Sequence, residues 1–176
     1  MKLIILLLSS LFLSIPGLAK PNFILLVSDD QSWDGLSVAM HPKEEKSRHP
    51  VYETPNLKKL AASGMRFSNA YAPASVCSPT RISLQTGLSP AALRWCKASR
   101  PFTASDGLKL VPPSSRKSIR SDETTIAERL KKAGYATAHF GKWHLGDNYP
   151  MRPMDQGFDE VVALGCGAVG QIGDYW

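Results

Sequence analysis

The sequence predicts an α/β fold with a mainly parallel sheet flanked by helices. Short apolar runs that suit buried strands alternate with segments carrying clear helix start and stop signals. With 176 residues, 43% of them hydrophobic, the chain is long enough for one domain with a real core.

The N-terminus reads as an export signal. Met1-Lys2 precedes an apolar stretch over 3–15, and Pro16-Gly17-Leu18-Ala19 offers small residues for cleavage before Lys20. The stretch is shorter than the roughly 20 residues a spanning helix needs. No cysteine follows the cleavage point to carry a lipid. The expectation is a signal peptide over 1–19 and a secreted or periplasmic mature chain that leaves the membrane after cleavage.

Residues 22–28 form a continuous apolar run ending in Asp29-Asp30, as in a strand buried on both faces. Residues 31–53 lack periodicity and read as a long loop. Thr54 then offers an N-cap and Pro55 the first helical position, while Leu57, Leu60 and Ala61 make an apolar stripe that Gly64 ends. A second strand is expected over 65–71. Ser78 as cap, Pro79 in the first turn and Gly87 as terminator define a short helix with Cys77 at its mouth. Residues 96–122 are rich in Pro, Ser and basic residues, and a connection of that length is usually functional or mobile. Thr125-Ile126-Ala127-Glu128 is a capping box, Ile126, Leu130 and Ala133 share a face, and Gly134 closes the helix before a strand over 135–140.

The strand-like residues 161–164 lead into Gly165-Cys166-Gly167-Ala168-Val169-Gly170, which fits the dinucleotide-binding glycine pattern. Gln171-Ile172-Gly173-Asp174 makes a poor helix start, and the sequence stops at Trp176, before the position about 20 residues on where the pattern needs an acidic residue. A glycine-rich loop is the better reading.

The 21 basic residues outnumber the 15 acidic ones by a formal +6, but they are scattered. No dense basic run resembles a nucleic-acid arm, so no nucleic-acid partner is expected. Three cysteines, Cys77, Cys96 and Cys166, leave one thiol to explain in an exported chain. Whether Cys96 pairs with Cys166 stays open.

A helix mouth favours a bound anion, and Arg81, one turn on, can return its guanidinium toward Cys77. On spacing alone, a small buried cysteine beside a turn explains Cys77 better. Asp29-Asp30 sits where open α/β sheets bind ligands and offers oxygen ligands to a hard cation, although such pairs more often mark a turn. Lys142-Trp143-His144 taken alone is an ordinary loop.

The longer strings decide between these readings. Cys77-Ser78-Pro79-Thr80-Arg81-Ile82-Ser83-Leu84-Gln85-Thr86-Gly87 resembles the sulfatase-family signature, Cys-x-Pro-x-Arg followed by Leu-x-Thr-Gly. Val27-Ser28-Asp29-Asp30-Gln31 resembles the family's first metal-binding strand, and Thr54-Pro55-Asn56-Leu57 with Gly64-Met65-Arg66-Phe67 its next segment. Gly141-Lys142-Trp143-His144-Leu145-Gly146, preceded by Gly134-Tyr135-Ala136-Thr137, resembles the second signature. Gly157-Phe158-Asp159-Glu160 is similar to a segment with a structural role. His139 has no counterpart in the family's catalytic set and reads as a packing or hydrogen-bonded core residue.

The resemblance implies that Cys77 is oxidised to formylglycine, which would also remove the odd thiol. One hydroxyl of the aldehyde hydrate attacks sulfur and the other later expels sulfate, an exit a serine lacks. It further implies Lys142 contacting sulfate and hydrate, His144 on a hydrate oxygen, and Asp29, Asp30 and the modified Cys77 holding Ca2+, with Mg2+ the alternative. The implied partners are a small-molecule or carbohydrate sulfate ester and a formylglycine-generating or equivalent maturation enzyme. The implied architecture is the alkaline-phosphatase-like sulfatase fold, incomplete at the C-terminus, with 20–176 as the N-terminal part of the catalytic domain. Family members supply further ligands from beyond this span, so little turnover is expected of the isolated chain. Two other readings remain: a phosphate or phosphonate ester hydrolase using the same site, and an inactive truncated fragment.

Overall fold

The structure, a computed structural model, describes residues 20–98, 109–110 and 114–164. The expected signal peptide over 1–19, the glycine-rich run with Cys166 and part of the 96–122 connection lie outside the described residues. The chain divides into two units, 1–31 and 32–176.

In the first unit, residues 20–28 form no strand, and Phe23, Ile24, Leu25, Leu26 and Val27 are all exposed. The strand expected over 22–28 is therefore not formed. Apolar composition suits a strand but cannot supply the neighbouring backbone that makes one. Among the described residues the one sheet is in the second unit.

The described residues of that unit hold three α-helices, α1 (Pro55–Ser63), α2 (Cys77–Thr86) and α3 (Ile126–Lys132), and two strands, β1 (Ala138–Lys142) and β2 (Glu160–Leu164). Pro55 opens α1 as expected, but the Thr54 side chain makes no cap bond. Its hydroxyl accepts instead from the Ser37 amide at 3.0 Å and lies 2.8 Å from the Ser37 hydroxyl. No residue of α1 is buried, and Leu57 and Leu60 stay exposed. The expected apolar stripe is thus held by a polar tether rather than by burial. Residues 65–71 also form no strand, leaving Met65, Phe67 and Tyr71 exposed.

The start of α3 follows its sequence closely. Glu128 N donates to Thr125 Oγ1 at 3.2 Å, and Thr125 N donates to Glu128 Oε2 at 2.7 Å. Its end is a Schellman motif. Gly134, at φ 83°, donates to Lys131 O, and Tyr135 donates to Leu130 O. The buried α3 residue is Ala127, whereas Ile126, expected on the inner face, is 43% exposed. Thr125 also donates its hydroxyl to Gln156 O at 2.7 Å, joining α3 to the segment before β2. Thr125→Ala breaks both bonds of a fully buried side chain. We expect it to cost about 1–2 kcal/mol in urea unfolding with an unchanged m value.

β1 starts three residues later than expected because Thr137 is engaged by the Asp159 segment. Asp159 N and Glu160 N both donate to Thr137 O. Thr137 N and its hydroxyl donate to Asp159 Oδ2 at 3.0 and 2.9 Å. From there β1 and β2 run parallel, from Ala138 opposite Glu160 to Lys142 opposite Leu164. The crossover over 143–159 contains a 3-10 turn, Pro153–Gln156, rather than an α-helix.

Lys131 Nζ, 2.6 Å from Asp159 Oδ1, together with the Thr137 amide and hydroxyl, holds the Asp159 carboxyl down at about 2. A depressed folded-state value stabilises the fold above the unfolded value near 3.8, and that contribution disappears as pH falls through about 2. Asp159→Asn should therefore flatten the acid limb of stability between roughly pH 4 and pH 2. An unchanged acid limb in a pH-unfolding series would remove Asp159 from this role.

The core gathers Ile82 of α2 with Leu93, Trp95, Ile119, Trp143 and Leu145, flanked by Met151 and Phe158. Each such side chain contributes about 1.5–3 kcal/mol by leaving water. Trp95 and Trp143 keep their indole N–H groups satisfied on Lys97 O and Met151 O. Among the described residues, no helix is long and apolar enough to cross a membrane.

Candidate active site

Cys77 is the first residue of α2, two positions earlier than a Ser78 cap would allow. Val76 occupies the cap position with extended backbone, and Ser78 and Pro79 are buried beneath the first turn. Pro79 suits that turn because no intrahelical acceptor exists there for its missing N–H. Thr80 ties the entry to the helix by donating its hydroxyl to Ala74 O at 2.7 Å. Gly87, at φ 73°, ends α2 and donates to Ser83 O at 2.8 Å, as its sequence position predicts. Cys77 is left half-buried at the helix mouth with a free thiol.

Lys142 approaches it from the end of β1. Its ammonium donates to Cys77 Sγ at 3.3 Å across 65 positions of sequence. Arg81 takes part through the backbone: its Nη1 donates to the Lys142 carbonyl at 2.5 Å. That bond to a main-chain oxygen has no sequence signal, whereas the spacing of Arg81 from Cys77 does.

The 141–146 loop is held by alternation. Trp143 and Leu145 are buried, while Lys142 and His144 between and beside them are half-buried. Leu145 O accepts from Ile119 N at 2.7 Å, fixing the loop to the core. Gly141 sits at φ 105° although a Cβ there would meet nothing, so backbone conformation rather than space requires glycine.

His144 has φ 59°, a region side chains other than glycine avoid. Among the described residues, positive φ outside glycine occurs only at Asp30, Arg94 and His144. Two of these three are candidate site residues, as expected where function holds strained backbone. Burial lowers the pKa of His144, helped by the charges of Lys142 and Arg81 and opposed by Asp147. The ring is therefore neutral near pH 7 and able to accept a proton. Its Nδ1 is buried and has no hydrogen-bond partner among the described residues.

His139 packs as expected, its ring 5.3 Å from Trp143 and 5.2 Å from Phe158. Burial lowers its pKa as well. Asp29 and Asp30 belong to the first unit, where both are exposed. Their carboxylate oxygens lie within 4.8 Å of each other, a separation one hard divalent ion can bridge. Cys96 is exposed and has no disulfide among the described residues. Its expected candidate partner, Cys166, lies outside the described residues.

Comparison with known proteins gives a consistent picture. A family model described as Sulfatase matches residues 21–168. Arylsulfatase G of Canis lupus familiaris is 40% identical over 146 residues, covering 82% of this chain and 23% of that protein. N-acetylgalactosamine-6-sulfatase of Mus musculus is 36% identical over 162 residues, covering 89% of this chain and 28% of that protein. The crystal structure of Ps i-CgsB in complex with k-i-k-neocarrahexaose superimposes with a TM-score of 0.52 at 31% identity. It covers 65% of this chain and 23% of that one. The chain spans about a quarter of the length of the relatives it matches.

Proposed function

The chain belongs to the sulfatase family, and from that premise we infer that it carries the Cys77 side of a site hydrolysing sulfate esters. The described parallel sheet with its helices is accordingly part of the α/β sulfatase fold. The observation that carries the functional reading is the Lys142 ammonium 3.3 Å from Cys77 Sγ. Sγ marks the reactive end of the side chain that oxidation to formylglycine would convert to an aldehyde. A fixed cation there suits both a hydrated aldehyde and a sulfate oxygen.

When formed, formylglycine supplies two hydroxyls on one carbon, one to accept the sulfo group and one to release it. Lys142 places positive charge where sulfate oxygens gather. Arg81 holds Lys142 by its carbonyl and adds to the positive field. His144, neutral and half-buried, takes up or returns a proton at the hydrate. Asp29 and Asp30 fit a hard divalent ion, Ca2+ or Mg2+, by ligand type and mutual separation, and the family resemblance implies the modified Cys77 as a further ligand. The export signal over 1–19 and a secreted or periplasmic location belong to the same reading, as does a maturation enzyme that acts on Cys77. The substrate is a small-molecule or carbohydrate sulfate ester, and the sugar complex of Ps i-CgsB favours the carbohydrate branch.

Two measurements test this. Co-expression with a formylglycine-generating enzyme should yield a Cys77 peptide with the mass of an aldehyde residue. The full-length enzyme should then hydrolyse an aryl sulfate far faster than the matching aryl phosphate. An unmodified thiol in active enzyme overturns the aldehyde, and a preference for phosphate overturns the sulfate assignment.

A further inference from the structure

We propose that the surface formed by residues 37–66 is a second binding site, a cleft for a sulfated oligosaccharide, separate from the Cys77 machinery. Two adjoining clefts of about 610 and 580 Å³ lie there and share Ser37, Glu45 and Arg48. None of Cys77, Arg81, Lys142 or His144 lines either one. Each volume is within the range of small-ligand sites, and together they suit a chain of sugars better than a single ring.

The charged lining of the first cleft is predominantly basic. Lys43, Lys58, Arg48 and Arg66 line the first. Among the described residues, the ammonium groups of Lys43 and Lys58 have no hydrogen bond or ion pair. Arg66 Nη1 is steadied by donation to Ala39 O at 2.6 Å, which leaves other N–H groups of its fork for a ligand. Three carboxylates line the clefts: Glu44 accepts from Lys46 N at 3.1 Å, Glu45 pairs with Arg48 at 3.2 Å, and Glu53 stands in the second cleft, away from Lys43 and Lys58.

Two histidines add to this bias. His41 Nδ1 accepts from Lys43 N, and His49 Nδ1 accepts from Val51 N and Tyr52 N. A ring whose Nδ1 accepts must carry its proton on Nε2, so both imidazoles offer N–H donors. His41 lines the first cleft and His49 the second. His49 also stacks on Tyr52 at 3.6 Å, and Tyr52 remains 58% exposed, leaving an aromatic face for a sugar ring. Cationic and neutral N–H donors beside an exposed tyrosine match sulfate oxygens carried on a saccharide.

The choice of a sulfated sugar rests on reading the Cys77 site as one for sulfate esters, but its test does not depend on turnover. Calorimetry of the full-length enzyme carrying Cys77→Ala, with a heparin-derived tetrasaccharide at low salt, should show binding that the desulfated sugar lacks. Lys43→Glu with Lys58→Glu should weaken it about tenfold or more, since two attractive contacts become repulsive. Lys43→Gln with Lys58→Gln should give an intermediate loss, with circular dichroism unchanged for both pairs. The proposal is overturned if the tetrasaccharide does not bind, or if the double variants bind like the parent. Equal binding of the desulfated sugar, or of an oligonucleotide of matched charge, overturns it too. Because Cys77 is already replaced, failure here is distinct from failure of the sulfatase reading.

Discussion

Cys77→Ser in the full-length enzyme is expected to lower steady-state hydrolysis of an aryl sulfate on the order of 10⁴–10⁶-fold, as when a nucleophile is removed from a catalytic unit. Serine places one hydroxyl where Sγ now stands beside Lys142 Nζ. That oxygen can take the sulfo group, but no second oxygen on the same carbon can expel it. A rapid-mixing experiment should therefore show at most one equivalent of alcohol, with a sulfated peptide accumulating at position 77. Multiple turnover at the parent rate would show that release does not need the aldehyde. Loss of the initial burst as well would point to a fold disturbed at the α2 entry, which circular dichroism distinguishes.

Gly157→Ala should be among the most damaging single-methyl changes in the second unit, costing about 2–4 kcal/mol. Gly157 has φ 97°, which alanine adopts only with strain, and its added Cβ would lie 2.6 Å from Glu128 N and Cγ. Glu128 N is the amide that closes the capping box. The backbone there cannot retreat without giving up the bond to Thr125, so two penalties fall at one point. Urea unfolding should show a clearly lower midpoint, and a loss below about 1 kcal/mol would mean that α3 shifts more freely than its bonding indicates.

The parts that sequence conveyed best were local ones. Pro55, Gly87 and the Thr125/Glu128 box mark their helices because a proline, a left-handed glycine and a reciprocal cap each act within one turn. The run over 22–28 and the stripe of α1 misled for the opposite reason. Apolar residues record a preference for burial without naming the surface that provides it. β1 was displaced because Thr137 answers to Asp159, a partner 22 positions away. The site divides along the same line. Lys142 and Cys77 stand 65 positions apart, so only the resemblance of both signatures to one family joined them in advance. The Arg81 bond to a carbonyl was invisible, because every residue carries that oxygen.

The same carbonyl has an experimental consequence. Arg81 grips an atom of Lys142 that no substitution at 142 removes. Side-chain replacement there deletes the cation while the tether between α2 and β1 survives. Position 142 thus offers a clean dissection, in which lost chemistry need not be confounded with a lost scaffold.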